Sequence, residues 1–426
     1  MERKFTSYPI TDFYNFKTQL LNFGIRFSNF CFLDNHEYEF DKSYECIVGA
    51  GSIRQVIANR GTGLMQLTQF QKENRDWMFG HASYDLKNKI EDLSSKNFDG
   101  IVFPDFLFFV PETVFILSKK NVQIGSLRGI NTEEIFNEIC GINLQNSSPV
   151  KVHLQSRFSK KEYIETIKKL QKHIAKGDCY EICFCQEFFA ENIEIHPVDI
   201  FIKLSALSPN PFSAFYKYEG KYLMCASPER FLKKIKNSII AQPIKGTAKR
   251  IGNNAEKDEA EKTALQLNEK ERAENIMIVD LVRNDLSKIC TEGSVTVKEY
   301  LKVYSFPQVH QMISTIIGNL RENISFAEIL KATFPMGSMT GAPKKRVMEL
   351  IENYERTKRG LFSGTVGYIN PDGDFDFNVI IRSILYNETK KYLSILTGSA
   401  ITFKSIPQKE YEECFIKLEA MKKVLG

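Results

Sequence analysis

The sequence predicts an α+β fold, and three observations predict it. Helical and strand-like patterns are both abundant, the strand patterns arrive in runs, and no internal repeat is present. With 426 residues, 43% hydrophobic and 26% charged, the chain can bury a large core. Residues 1–145 mix short apolar runs with turns, such as 46–48 before Gly49-Ala50-Gly51 and 106–110 before Pro111. Gly49-Ala50-Gly51 is not a dinucleotide loop, because Arg54 stands where a third glycine belongs. Gln145-Asn146-Ser147-Ser148-Pro149 reads as a turn-rich linker between an N-terminal region, 1–145, and a second region, 150–426.

After the linker, residues 159–174 predict a helix. Ser159 and Glu162 form a capping box, and Tyr163, Ile167, Leu170 and Ile174 share one face. Gly177-Asp178 ends it, and 179–189 predict a strand. Alternation puts Cys179, Glu181, Cys183 and Cys185 on one face, with Tyr180, Ile182, Phe184 and Phe188 on the other. Short strands follow around 213–218, 221–225, 231–234 and 238–240. Residues 255–283, 326–333 and 343–354 are helical in pattern. Strands are expected at 364–369, 375–386 and 392–397, and a last helix at 408–425.

Composition excludes several functions. There are 57 basic and 52 acidic residues, and runs such as Lys168-Lys169 fall on solvated helix faces, so nucleic acid is not an expected partner. No stretch approaches 18 apolar residues and no apolar segment opens the sequence, so neither a membrane span nor a signal is read. The nine cysteines lack zinc-like CxxC spacing and are expected as reduced thiols in a cytoplasmic protein. The three on the Glu181 face read as small apolar fillers.

Four motifs carry candidate chemistry. Glu271-x-x-Glu274 and Glu410-x-x-Glu413 each place two carboxylates on one helical face. Facing each other, the pairs would make an oxygen-rich cage for Mg²⁺, although spacing alone fits a solvated face as well. In Pro243-Ile244-Lys245-Gly246-Thr247, a lysine before a glycine turn could present its amine to a cleft, or to solvent. In Ser227-Pro228-Glu229-Arg230, a desolvated glutamate could serve as general acid, or be an exposed turn residue. The loop from Phe334 to Lys344 is rich in small residues and opens a helix, where free N–H groups bind carboxylates.

Together, in order and spacing, these motifs resemble the chorismate-using enzymes, which include anthranilate, aminodeoxychorismate, isochorismate and salicylate synthases. The resemblance runs from about residue 155 to the end. It includes Gly177-Asp178-Cys179-Tyr180-Glu181, Ser227-Pro228-Glu229, Pro243 to Thr247, Glu274-Asn275, His310, the Gly337–Lys344 loop, Ile381-Arg382 and Ser405-x-Pro407. Trp77-x-Phe79-Gly80 and Tyr84 to Asn88 resemble the family's N-terminal region more loosely. The resemblance implies a composite fold of the anthranilate synthase type, two packed antiparallel β-sheets flanked by helices, completed by residues 1–145.

Within the family, Lys245 resembles the attacking lysine of the aminodeoxychorismate synthases, where anthranilate synthases place alanine. Isochorismate and salicylate synthases carry a water-activating lysine at the position of Glu181, and amine-using relatives generally carry glutamine there. The resemblance implies amination of chorismate by ammonia, with Lys245 as covalent nucleophile, Glu229 as general acid and His310 and Ser338 lining the ring site. It implies Mg²⁺ on Glu271, Glu274, Glu410 and Glu413. Arg382, Tyr368 and the backbone near Gly398 are expected at the pyruvyl carboxylate, and Thr247, Ser399 and Lys417 among the substrate-binding residues. Asn275 replaces a common histidine. Gly398-Ser399-Ala400 replaces Gly-Ala-Gly, which is expected to bring a side chain toward ligand. No cysteine sits in a Gly-x-Cys-x-Gly turn, so ammonia is expected from a separate glutamine amidotransferase subunit, and pyruvate elimination from a separate lyase. Pro209-Asn210-Pro211-Phe212 resembles part of a tryptophan pocket found in relatives. The rival readings are anthranilate synthase component I, for which Lys245 is awkward, isochorismate synthase, and a non-catalytic binding subunit, for which six retained site residues are unneeded.

Overall fold

Strand pairing gathers the chain into two antiparallel sheets. The computed structural model describes residues 3–39, 42–58, 63–127, 129–144, 151–252, 254–306 and 309–426. The linker at 145–149 lies outside the described residues. The larger sheet, of twelve strands, runs Lys4–Pro9, Asn121–Ser126, Thr113–Leu117, Cys46–Ala50, Asn29–Asp34, Phe212–Tyr218, Lys221–Ser227, Ser383–Asn387, Tyr392–Ile401, Glu181–Ala190 and Gly341–Ala342, with Gln155–Ser156 beside it. The smaller sheet, of ten, runs Ile244–Lys249, Val309–Asn319, Ser238–Gln242, Arg230–Ile235, Phe375–Asn378, Thr365–Ile369, Met78–Ala82, Phe106–Val110 and Arg54–Ile57, with Thr296–Ser305 paired to Val309–Asn319. The N-terminal strands enter both sheets, Asn29–Asp34 against Phe212–Tyr218 and Met78–Ala82 against Thr365–Ile369.

Period-two alternation sorts side chains of the larger sheet between two cores. Cys31, Tyr216, Leu223, Cys225, Cys183 and Cys185 meet Phe79, Phe108 and Phe377 of the smaller sheet in one cluster. Phe30, Phe215, Met224, Ile182, Phe184 and Phe188 face helices instead, packing with Tyr163, Ile167, Phe201, Leu418 and Met421. The expected alternation therefore holds from Ile182 onward. It fails at Cys179, which packs in the helix-side cluster because the strand begins only at Glu181.

The helix at Lys160–Ala175 has the expected Ser159–Glu162 capping box. Three other expectations are corrected. Residues 255–283 form two helices, Ala255–Leu267 and Glu269–Ser287, because Asn268 stops the first and caps the second, accepting from the Lys270 and Glu271 amides. The apolar run 375–386 is two strands in different sheets, Phe375–Asn378 and Ser383–Asn387, joined by a crossover that carries Arg382 at φ 52°. Thr296–Ser305 and Val309–Asn319 form a hairpin absent from the expected elements. Two register shifts, between Val297 and Glu299 and between Glu299 and Lys302, break its alternation.

Candidate active site

The candidate residues gather where the chain passes between the sheets. Glu229 sits between Lys221–Ser227 of the larger sheet and Arg230–Ile235 of the smaller. Its amide donates to Ser227 Oγ at 3.2 Å, and its carbonyl accepts from the Val379 amide at 3.0 Å, tying this crossover to the one that bears Arg382. Its side chain lines a small cleft with Pro243, Met336, Gly337 and Ser338. Burial pushes the Glu229 carboxyl up to about 7, against the lowering pull of Ser338 and the Lys245 charge. A carboxyl so placed is about half protonated at pH 7 and can donate a proton.

Lys245 lies on Ile244–Lys249. The register against Val309–Asn319 shifts between Ile244 and Thr247, and Gly246 takes φ 92°, so the strand bulges at the lysine. Asn275, 1% exposed, secures this bulge from the helix side, donating to the Met312 carbonyl at 3.2 Å and the Lys245 carbonyl at 3.4 Å. Ser314 Oγ donates to Asn275 Oδ1 at 2.6 Å. The Lys245 ammonium donates to Glu181 Oε1 at 2.9 Å, an ion pair between the two sheets. Burial works against the ammonium, yet Glu181, Glu274 and Cys183 outweigh it and hold its pKa well above the ordinary lysine range. The resting lysine is therefore protonated.

Glu181 is held by its backbone. It pairs with Ala342, Tyr180 N–H donates to the Ala342 carbonyl at 2.8 Å, and Cys183 N–H donates to the Thr340 carbonyl at 2.8 Å. Only glycine fits at 341, where φ is 139° and a Cβ would lie 2.1 Å from the Glu181 carbonyl oxygen. Arg359 braces the same loop and strand, donating to Met339 O at 2.6 Å and Cys183 O at 2.7 Å while its fork grips Glu355. Neither Arg359 nor Asn275 was assigned a structural role from the sequence. The i,i+4 spacing of Glu355 and Arg359 was the available signal.

The four glutamates lie on two facing helices, Glu269–Ser287 and Pro407–Val424. Lys270 Nζ stands between Glu410 Oε1, at 3.4 Å, and Glu274 Oε1, at 3.7 Å. Lys417 Nζ pairs with Glu413 at 2.6 Å and donates to the Gly398 carbonyl at 2.7 Å. Burial raises the Glu274 carboxyl to about 7, and raises Glu271 as well. At Glu413 burial opposes ionisation, but Lys417 outweighs it and the pKa falls. Among the described residues no three acidic, histidine or cysteine side chains converge as a closed metal cage. The donor set nonetheless suits a hard cation: all four groups are carboxylates, and the buried Glu274 Oε1 and Glu410 Oε2 make no hydrogen bond.

Arg382 occupies the second crossover. Its half-buried guanidinium has no hydrogen bond or ion pair among the described residues, and burial lowers its pKa despite Glu413. A fork of donors left unpaired in this way suits an incoming carboxylate. Ser338 is buried beside the Glu229 carboxyl.

Three expected site residues are engaged in other contacts. Both ring nitrogens of His310 are engaged, Nδ1 with Ser305 Oγ at 2.9 Å and Nε2 with Asp258 at 3.1 Å, so it braces the hairpin and the helix Ala255–Leu267. Tyr368 belongs to an aromatic cluster with Tyr44, Trp77 and Phe79, in a second cleft shared with Asp34, Pro211, Phe212 and Asp376. Ser399 pairs with Phe184 and its hydroxyl lies beside Tyr163, on the helix side of the sheet, so it brings no side chain to the cleft. Thr247 is exposed, opposite Gln311. Gly398 keeps the strands close, since a Cβ there would lie 2.2 Å from the Phe184 carbonyl.

This pairing of two antiparallel sheets, with the charged groups at their crossovers, is a known architecture. Anthranilate synthase component I from Streptococcus pneumoniae TIGR4 superposes with a TM-score of 0.77 and 26% identity, over 88% of this chain and 91% of that one. The model of the chorismate binding enzyme family matches residues 30–423, and the chain belongs to that family. The chloroplastic aminodeoxychorismate synthase of Arabidopsis thaliana is 39% identical over 312 residues, 72% of this chain and 33% of the relative. Aminodeoxychorismate synthase component 1 of Escherichia coli (strain K12) is 33% identical over 348 residues, 81% of this chain and 76% of the relative. The match thus spans about a third of the plant protein's length and about three quarters of the bacterial one.

Proposed function

We propose that this chain is a synthase subunit that converts chorismate and ammonia to 4-amino-4-deoxychorismate, for 4-aminobenzoate and folate synthesis. The observation that carries the reading is the opposite preparation of two groups in one cleft region. Glu229 is a carboxyl whose pKa burial raises to about 7, so that it keeps a proton to give, and Lys245 is an amine held beside a proton acceptor. The lysine also separates this reading from anthranilate synthesis.

Arg382 binds the pyruvyl carboxylate, and Ser338 faces the ring. Glu229 gives its proton to the C4 hydroxyl as that group leaves as water. Lys245 forms a bond to C2 while the ring double bonds shift and C4–O breaks. Ammonia then adds at C4, the double bonds shift back, and the C2–N bond breaks to release Lys245. Two allylic steps replace one difficult displacement. Glu271, Glu274, Glu410 and Glu413 would hold Mg²⁺, which when bound supplies positive charge against the ring carboxylate.

Ammonia comes from a glutamine amidotransferase subunit, a reading supported by the lack of any Gly-x-Cys-x-Gly turn in this sequence. Regions 1–145 and 150–426 act as one composite domain, supported by the N-terminal strands in both sheets. A cytoplasmic location is supported by nine free cysteines, and among the described residues no helix is long and apolar enough to cross a membrane. The cleft of Asp34, Pro211, Phe212 and Tyr368 is the candidate tryptophan site.

The test is a product assay with chorismate, Mg²⁺ and ammonium chloride in mildly alkaline buffer, resolved by chromatography and mass spectrometry. A chorismate-derived amine that yields 4-aminobenzoate on adding a lyase is expected. Anthranilate as product would overturn the reading.

A further inference from the structure

Lys245 cannot attack while it is an ammonium, so some group must take its proton. The structure assigns Glu181 as that base, an inference that rests on Lys245 being the nucleophile. Among the described residues, the single hydrogen bond of Lys245 Nζ goes to Glu181 Oε1, at 2.9 Å. Glu181 is 2% exposed, so bulk water does not compete for the proton. Its backbone is clamped by Ala342 and, through the neighbouring Cys183, by Thr340 and Arg359. The carboxylate therefore has little freedom to leave the amine.

A glutamine here would accept the same hydrogen bond from the ammonium. It could not take a proton, because an amide oxygen is far too weak a base. The carboxylate adds only that capacity, together with its charge. The step balances simply. One N–H bond of Lys245 breaks and an O–H bond forms on Glu181, leaving a neutral amine beside a neutral acid. The freed lone pair forms the bond to C2. When C2–N later breaks, Lys245 departs as a neutral amine and recovers the proton from Glu181. Glu229 regains its own proton from the ammonia nitrogen that has added at C4. No outside acid or base is consumed. The carboxylates that face Lys245, Glu181 and Glu274, both favour the ammonium, so a proton acceptor in direct contact is needed.

The test compares Glu181→Gln and Glu181→Asp in the full chain, with chorismate and saturating ammonium. Gln keeps the shape and loses the base, whereas Asp keeps the base on a shorter arm. We expect kcat of Glu181→Gln to fall about 10²-fold or more, with the chorismate KM little changed. Glu181→Asp should retain more activity than Gln. Incubation with chorismate alone, read by intact-protein mass spectrometry, should show slower build-up of the Lys245 adduct in the Gln variant. Wild-type kcat in Glu181→Gln, or Gln outperforming Asp, would overturn the assignment. So would a Gln variant that fails to fold, since the carboxylate would then serve stability. Failure of the lysine reading looks different, because Lys245→Ala would then remain active whatever happens at Glu181.

Discussion

Glu229 and Arg230 are neighbours in sequence, yet their side chains meet unlike surroundings. On the Glu229 side, polar groups stand incompletely satisfied among the described residues: the Arg382 guanidinium has no partner, and Glu274 and Glu410 each keep an oxygen without a hydrogen bond. On the Arg230 side the charges are closed. Arg230 grips both oxygens of Asp376 at 2.9 and 3.0 Å, lies 4.8 Å over the Phe212 ring and donates to Gln242, and Ser43 donates to Asp376 at 3.0 Å. Buried polar groups without partners cost free energy, so a folded chain keeps them where a ligand will supply the partner. The comparison separates residues held for chemistry from residues held for architecture.

The largest effect that could break this contrast is at Lys245. Lys245→Ala should abolish product formation, and it should also lower the melting temperature, since it leaves the buried Glu181 carboxylate without its ion pair. Turnover at the wild-type rate would remove the covalent mechanism. Next is Glu229→Gln, which should lower kcat by about 10²–10⁴-fold. The wild-type rate at fixed free ammonia should fall as pH rises through about 7, where Glu229 loses the proton it must donate. A rate that keeps climbing through that range would take the acid role from Glu229. Linkage runs the same way: the folded Glu229 pKa lies above its unfolded value of 4.5, so its contribution to stability declines between the two as pH rises.

On the architectural side, Asp376→Ala removes a two-pronged carboxylate contact from the buried Arg230 guanidinium. Such losses cost about 3–5 kcal/mol. Denaturant titration should register that, while the chorismate KM of the surviving folded enzyme stays close to wild type. A large KM change with little loss of stability would merge the two clefts into one site. A smaller effect is expected at the four carboxylates. Glu274→Gln and Glu413→Gln should each raise the Mg²⁺ concentration needed for half-maximal activity. Full activity in EDTA would contradict the metal assignment.

Much of this was legible in the sequence, for physical reasons that differ by element. The helix Lys160–Ala175 was legible because its cap, period and stop agree. Lys245, Glu229 and the glutamate pairs were legible from motif order, and the structure brings Lys245 and Glu181 into contact. The break at Asn268 was readable in principle, since an asparagine followed by Glu269 and Glu271 is an N-cap with an acidic first turn. The crossover after Asn378 was not, because an apolar strand that changes sheets has the same composition as one that does not. Only the left-handed turn at Arg382, which costs about 1–3 kcal/mol, marks it, and that strain appears only in three dimensions. Tyr368 was misplaced for a related reason. Proximity in a motif says nothing about which face of Thr365–Ile369 a side chain takes.

Ser399 gives the smallest effect and the sharpest test of face assignment. From sequence, its side chain was expected to crowd the ligand. The register against Phe184 turns it toward Tyr163 instead, on the helix side of the sheet. Ser399→Ala removes only a buried hydroxyl beside Tyr163, so stability should change by no more than about 1.5 kcal/mol. The kinetic constants for chorismate should match wild type, because the backbone at Gly398 and the Lys417 contact to its carbonyl remain. A drop in kcat/KM for Ser399→Ala would place the hydroxyl on the ligand side. The division of this sheet into a helix-facing and a cleft-facing surface would then need revision where Glu181–Ala190 pairs with Tyr392–Ile401.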